Sequence, residues 1–313
     1  MLHLALIALL ASAGDVPASL RNARLQTHSA SSGLAAAFEP LARQPGPAWI
    51  GYAVPANRPH RMCFSDDGPG AETADVIVLF RVANGRVDRV RPSSRDCDID
   101  LEGRPLHWLT GVRPQESLAL LEPMAVTTGK SAVAAIALHA GPGADEVLER
   151  LVAPARPLGV RKEAAFWMGN ARGRRGYETL ERLAADPDSA LRAHVVFALG
   201  QSDVPEAIDT MIAVGRGDAD ARVRGQALFW LGQKAGSKAV AAITRAVAED
   251  PESAVRKKAV FALSQLPRDE GVPLLIDLAR GNSNPVVRKQ AMFWLGQSED
   301  PRALALFAEI LGR

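Results

Sequence analysis

The sequence predicts a small α+β N-terminal domain followed by an all-α solenoid of about six helix pairs. A motif that starts at Val160 returns in near-copy at Leu191, Val223, Val255 and Val287, at spacings of 31, 32, 32 and 32 residues. A fixed period of that size marks stacked helical units, none of which can bury its apolar face alone. Two β-rich runs flank Asn84-Gly85 in the first part of the chain, the dipeptide that supplies the positive φ of a tight hairpin. From Ser131 onward strand signals vanish, and short helical segments alternate with Gly, Asp and Pro.

The chain has 313 residues, 47% of them hydrophobic and 23% charged, which is enough material for a buried core. A net charge of +2 argues against a basic nucleic-acid binder and against an acidic tail. Residues 1–13 form an apolar run ending in Ala11-Ser12-Ala13, although only the amino terminus and His3 precede it as charge. This fits a signal peptide cut before Gly14, so the protein is expected to be exported, to the periplasm or outside the cell. The run falls short of the roughly 20 residues a bilayer span needs. Residues 14–44 are expected to be poorly defined, with Ser29–Gly33 separating two short helical pieces, the second being Leu34–Ala42. Two cysteines, Cys63 and Cys97, are expected to form one disulfide in an oxidising compartment, since no Cys-x-x-Cys spacing or His partners suggest redox or zinc chemistry.

Residues 45–124 read as a β-rich domain. After the turn Pro45-Gly-Pro47, Trp49–Val54 forms a strand closed by Pro55, and a loop runs to His60. Asp75–Val82 and Val87–Arg91 are the hairpin arms, the first apolar on both faces and therefore central. Arg95–Asp100 is expected to be a further strand that carries Cys97 back toward Cys63. Asp96, Asp98 and Asp100 alternate, but Leu101 stands where a calcium loop turns on Gly and no Glu follows at its twelfth position, so they read as an exposed acidic face. Trp108–Val112 and a helix over Gln115–Leu121 complete the domain, and Pro123 marks its end. The solenoid occupies 125–313. Its first unit, Ser131–Ala155, is degenerate, with Ile136 where later copies have Phe, as a capping repeat allows. Second helices are expected over Tyr177–Ala185, Ala207–Val214, Ala239–Ala248, Val272–Arg280 and Ala303–Leu311.

An Asp or Asn followed six residues later by Arg, in the frame Val-Arg-x-x-Ala-x-x-x-Leu-Gly, resembles the short HEAT-like repeat of the phycobilisome-lyase type. The matching pairs are Asp186 with Arg192, Asp218 with Arg224, Asp250 with Arg256 and Asn282 with Arg288; Arg161 has Ala155 at that position and departs from the pattern. The resemblance covers about residues 131–313. It implies a hydrogen-bonded ladder between units, and it speaks for fold rather than activity, because such arrays serve as scaffolds more often than as enzymes. The first 125 residues resemble no family.

At about 100° per residue, offsets 0, 4, 5, 7 and 8 of the motif form the core side of its helix. The Arg at offset 1 falls inside that arc and needs a partner. Phe166, Phe197, Phe229, Phe261 and Phe293, at offset 6, project away from the core. Asn170, Gln201, Gln233, Gln265 and Gln297, at offset 10, line the same side, and offset 7 alternates Trp167, Ala198, Trp230, Ala262 and Trp294. The resemblance implies that this side is the concave face. Two readings are open: a peptide-binding surface, or a seam in which each ring tucks against the next unit.

The function expected from these features is that of an exported, non-enzymatic adaptor or scaffold that binds a protein partner through the concave face, with no cofactor. The alternatives are an auxiliary enzyme subunit or lyase-like protein, as the resemblance suggests, and a nucleic-acid-binding solenoid. The histidines at 3, 28, 60, 107, 139 and 194 are scattered, and no nucleophile elbow, His-Glu-x-x-His motif or phosphate loop occurs. Lys162, Lys257, Lys258 and Lys289 are interspersed with Glu163 and Gln226, too mixed for a nucleic-acid groove. In the absence of reductant the exported protein should show no reactive thiol. Two labelled cysteines per folded molecule would remove the staple, whose contribution in the chain-entropy model is roughly 3 to 4 kcal/mol.

Overall fold

The computed structural model describes residues 16–60, 73–234 and 236–312; the expected signal peptide and Cys63 lie outside them. The chain divides into two compact units, 1–164 and 165–313.

The first unit is built on strands β1 (Leu20–Arg21), β2 (Arg24–Ser29), β3 (Ala48–His60), β4 (Thr73–Ala83), β5 (Arg86–Ser94), β6 (Ile99–Asp100) and β7 (Pro105–Thr110), with α1 (Leu34–Ala42) between β2 and β3. Five of the strands form a mixed sheet in the order β2-β7-β3-β4-β5, while β1 pairs with β6 alone. Asn84 and Gly85 both have positive φ, 53° and 72°, and close the β4–β5 hairpin. Strand β4 is central, as its two apolar faces require. Because side chains alternate along a strand, Ile77 and Leu79 join Trp49, Leu106 and Trp108 on one face, covered by Val16, Leu20 and Ala23. On the other face, Phe80 meets Phe38 of α1 edge to face at 5.0 Å and Tyr52 at 5.6 Å. Gly51 sits where a Cβ would lie 2.6 Å from Leu79 and 3.1 Å from Trp108, so only glycine admits that packing.

Several expectations need correction here. Residues 16–44 are not a poorly defined segment: they supply β1, the sheet strand β2 and helix α1, and Arg24–Ser29 is a strand and not a helical piece. Six residues cannot sustain a helix alone, and β7 offers them a parallel backbone partner over their whole length. Pro55 does not end β3. The strand pairs with β7 only through Trp49–Gly51, and at Pro55 that edge is met by Ala140, whose N–H donates to the Pro55 carbonyl at 2.8 Å, a bond that asks no N–H of proline. Cys97 lies in the turn before a two-residue strand and is buried, instead of riding a long strand from Arg95. Asp98 and Asp100 of the acidic run are exposed, as expected, and meet the turn after β1: Asp98 pairs with Arg21 at 3.1 Å, and Asp100 accepts from Asn22 at 2.9 Å.

Helix α2 (Pro114–Thr127) runs through Pro123, because burying Leu118, Leu121 and Ala125 outweighs one lost backbone bond. The first helix pair of the array follows as α3 (Lys130–Leu138) and α4 (Pro142–Leu151), and α3 packs on β3, β4 and β5. Where α2, α3 and the sheet meet, three polar groups with no solvent exposure form a chain. Tyr52 Oη lies 2.7 Å from Ser117 Oγ, which lies 2.8 Å from His139 Nε2, and His139 Nδ1 lies 2.7 Å from the Ala135 carbonyl. With Nδ1 carrying the proton, each group has a donor and an acceptor in sequence, and burial pushes the Tyr52 hydroxyl far above its ordinary value.

The array continues as α5 (Leu158–Ala171), within which the two units divide, then α6 (Gly173–Leu183), α7 (Ser189–Gln201), α8 (Glu206–Gly217), α9 (Ala221–Lys234), α10 (Ser237–Glu249), α11 (Ser253–Ser264), α12 (Arg268–Gly281), α13 (Pro285–Gln297) and α14 (Pro301–Leu311). This gives six helix pairs from α3 to α14. Ser117→Ala should leave Tyr52 and His139 each short of a buried partner, at about 1 to 3 kcal/mol per group. Denaturant unfolding of the variant measures this; an unchanged midpoint would mean that the chain of hydrogen bonds contributes nothing.

Candidate protein-binding face

The geometry of the repeat face rests on the loop that precedes each motif helix. In that loop Asp218 serves three functions at once. Its Oδ1 accepts the N–H of Asp220 at 2.8 Å, folding its own turn. Its carboxylate receives Arg192 of the preceding unit in a bidentate pair, Nε at 2.7 Å and Nη2 at 2.9 Å. Its backbone carbonyl receives Nη1 of Arg224, its own unit's arginine, at 2.8 Å. Asp250 repeats the pattern: it accepts the Glu252 N–H at 2.9 Å, Arg224 at 2.7 and 3.0 Å on the carboxylate, and Arg256 at 2.5 Å on the carbonyl.

The matched pairs Asp218 with Arg224 and Asp250 with Arg256 thus meet through the aspartate carbonyl, while the carboxylate is taken by the arginine of the preceding unit. Arg192 and Arg224 each grip the main chain six residues before them and the carboxylate 26 residues after them, whereas Arg256, with Asn282 at that spacing, grips the main chain. The physical reason is reach: the loop carbonyl of the same unit lies against the helix's first turn, whereas the aspartate side chain turns back onto its own N–H groups and toward the preceding unit. Asn282 keeps the turn, accepting the Asn284 N–H at 2.9 Å, and its carbonyl accepts Arg288 at 2.6 Å. Arg192 likewise binds the Asp186 carbonyl at 2.8 Å, and the Asp186 carboxylate folds its loop through the Asp188 N–H at 2.9 Å. Arg161, which lacks the aspartate six residues before it, is nonetheless buried and donates to the Val152 carbonyl at 2.8 Å.

Burial by itself would raise the Asp218 and Asp250 carboxyls. Hydrogen bonds and charge from Arg192 and Arg224, with the N–H groups of Asp220 and Glu252, outweigh it, and both titrate below the ordinary aspartate value.

On this frame the aromatic side chains form a continuous ribbon. Phe166 stacks on Phe197 at 5.6 Å and 10°, and Phe229 stacks on Phe261 at 5.8 Å and 11°. Between the stacked pairs, Trp230 joins Phe197 to Phe229 at 5.5 and 5.3 Å, and Trp294 joins Phe261 to Phe293 at 4.8 and 5.0 Å. Trp167 sits edge-on to Phe166 at the other end. Both readings of the column hold in part: Phe166, Phe197, Phe229 and Phe261 pack across units yet stay only half-buried, and Phe293 is 53% exposed. Asn170, Gln233, Gln265 and Gln297 are exposed and Gln201 is half-buried, and Gln233 donates to Gln265 at 3.0 Å across one unit boundary.

Trp230 depends on the glycine that closes the repeat frame of the preceding unit. A Cβ on Gly200 would lie 2.7 Å from the Trp230 ring, and one on Gly232 would lie 2.7 Å from the Ala262 carbonyl. The signal was present, since Gly169, Gly200, Gly232 and Gly296 recur at offset 9 of the motif. The histidines are also less scattered than the sequence suggested. His28 Nε2 and His107 Nδ1 meet at 3.0 Å across β2 and β7, where burial and then the His28 charge lower the His107 value. Among the described residues no three His, Cys, Asp or Glu side chains gather as a metal site, and no helix is long and apolar enough to cross a membrane.

A family model described as HEAT repeats matches residues 144–232, 212–296 and 240–313. No curated protein matches the chain. Among solved structures, the complex of CpcE and CpcF of phycocyanin lyase from Nostoc sp. PCC7120 is 19% identical, with a TM-score of 0.38 and coverage of 63% of this chain and 81% of that chain. Human deoxyhypusine hydroxylase is 16% identical, with a TM-score of 0.28 and coverage of 62% and 88%. A designed armadillo repeat protein in complex with the peptide (KR)4 is 18% identical, with a TM-score of 0.36 and coverage of 58% and 91%. At these identities and scores the likenesses carry no information about activity.

Arg224→Ala should cost about 3 to 5 kcal/mol, because it strands the buried Asp250 carboxylate. Arg256→Ala should cost about 1 kcal/mol, since what it loses is a bond to a carbonyl. Equal melting shifts would contradict the ladder described here. The pH dependence follows from depressed carboxyls: their contribution is complete above the unfolded value of about 4 and is lost as the pH falls through the lower folded values. Acid titration of melting should therefore show a shallower low-pH limb in Arg192→Ala than in the unmodified protein.

Proposed function

Because this chain belongs to the HEAT-repeat family, we propose that it is an exported, non-enzymatic adaptor that holds a protein partner on the aromatic and amide face of its repeats. The observation that carries this reading is the ribbon of eight rings, stacked on one another and still half in solvent. A seam that served packing alone would bury its rings on every side. Rings held by their neighbours instead present rigid apolar area at little cost in side-chain entropy, which is what central anchors of an interface require. The exposed amides along the ribbon can donate to and accept from the backbone of a bound segment. Export rests on the apolar run of residues 1–13, and the same compartment would favour pairing of Cys97 with Cys63.

A photo-crosslinking residue at Gln233 should capture a protein from the exported fraction of the native host, and the same protein should be captured from Gln265. The same probe at Arg245, exposed on α10, should not capture it. Phe229→Ala should weaken capture by more than ~1 kcal/mol, roughly fivefold. Equal capture from Arg245 and Gln233, or capture indifferent to Phe229→Ala, would count against this face.

A further inference from the structure

The two helices of each repeat differ in charge. Over residues 165–313 the second helices α6, α8, α10, α12 and α14 each carry at least one Asp or Glu, whereas the motif helices α7, α9, α11 and α13 carry none. Exposed helix faces ordinarily mix the two signs, because a carboxylate three or four residues from a lysine stabilises both. On the motif helices that compensation is missing from the sequence itself.

The cations left over gather beside the rings of one interior junction. Lys257 and Lys258 of α11 are exposed and meet no carboxylate among the described residues. They precede Phe261 by four and three residues, so all three share a side of the helix. Lys258 reaches back across the unit boundary and lies over Gly225 of α9, where an added Cβ would be 2.6 Å from its Cδ and 3.2 Å from its Nζ. Gly225 stands one turn before Phe229, which stacks on Phe261, so the ammonium sits beside that stack. At the offset of Gly225, helices α5, α7, α11 and α13 have Lys162, Ala193, Lys257 and Lys289, and α9 leaves the space open. Two uncompensated ammonium groups and a pair of half-buried rings held at one junction suit a carboxylate joined to an apolar side chain.

Resting on the assignment of the ribbon as the binding face, we propose that its partner presents an acidic segment there, in which Asp or Glu side chains meet Lys257 and Lys258 while a neighbouring apolar side chain lies on Phe229 and Phe261. A single-stranded nucleic acid fits less well. It carries a phosphate at every nucleotide, while the cations occupy one stretch of the ribbon: on α7 and α9 the equivalent positions are Ala193, His194, Gly225 and Gln226. A basic segment would bring charge of the same sign to helices that hold no carboxylate to answer it.

Fluorescence anisotropy of the full chain with short labelled peptides of Glu-Leu-Gly, Gln-Leu-Gly or Lys-Leu-Gly repeats tests this. The Glu peptide should bind at least about tenfold more tightly than the Gln peptide, and the advantage should shrink as salt is raised. Lys257→Gln with Lys258→Gln should remove that advantage without moving the melting temperature, and Lys257→Glu with Lys258→Glu should transfer it to the Lys peptide. Phe229→Ala should weaken the Glu and Gln peptides alike, which reports on the face and not on the charge. Equal binding of the Glu and Gln peptides, both sensitive to Phe229→Ala, would overturn the acidic partner and leave the binding face in place. Binding indifferent to Phe229→Ala would remove the face and the acidic partner together. A Glu preference that survives in the double Gln variant, no binding of the Glu peptide, or tighter binding of labelled oligouridine would also overturn the proposal.

Discussion

The central units of the array depend on one interaction, the fork by which Arg192 and Arg224 take the carboxylate of the next unit. A helix pair cannot bury its own apolar side, so stacking is obligatory, but apolar contact alone leaves the units free to slide or rotate. The fork removes that freedom because the same aspartate also folds its own loop, and the arginine is anchored at its other edge to its own loop carbonyl. Each bridge thereby ties two loops and one helix start together. Both partners are largely withdrawn from water, with side-chain exposures of 10% and 6% for Arg224 and Asp250, where an unpaired charge is expensive.

The aromatic ribbon follows from that register. Since the units are fixed relative to one another, Phe229 can lie nearly parallel on Phe261, and Trp230 can reach back over Gly200 to touch Phe197. Trp and Ala alternate at offset 7, so Phe–Phe stacking and Phe–Trp contact take turns from one junction to the next and the effective structural period is two repeats. This alternation lets rings close a seam without being swallowed by it. The outcome is a surface with the rigidity of a core and the accessibility of a binding site.

The periodic half of the chain was legible because a 32-residue spacing is a direct image of stacking, and because Phe, Arg and amide recur at single offsets. What the spacing could not show was the direction of the bridge. Asp218 is near Arg224 in sequence and bonded to Arg192 in space, and only the fold of the loop decides between them. In the first unit, the hairpin at Asn84-Gly85 was legible from local backbone chemistry. The strand at Arg24–Ser29 was not, since nothing in those six residues announces a strand until β7, some eighty residues later, supplies its partner. The buried chain of Tyr52, Ser117 and His139 was hidden for the same reason: it joins three separate elements, and no local pattern marks any of its members.

Whether the bridge runs between units is measured most directly by a pair of double-mutant cycles. Coupling between Arg224→Ala and Asp250→Ala in equilibrium unfolding should be on the order of 2 kcal/mol, whereas coupling between Arg224→Ala and Asp218→Ala should lie within about 0.5 kcal/mol of zero. A larger coupling for the pair six residues apart than for the pair 26 residues apart would contradict the inter-unit register on which the ribbon and the binding face rest.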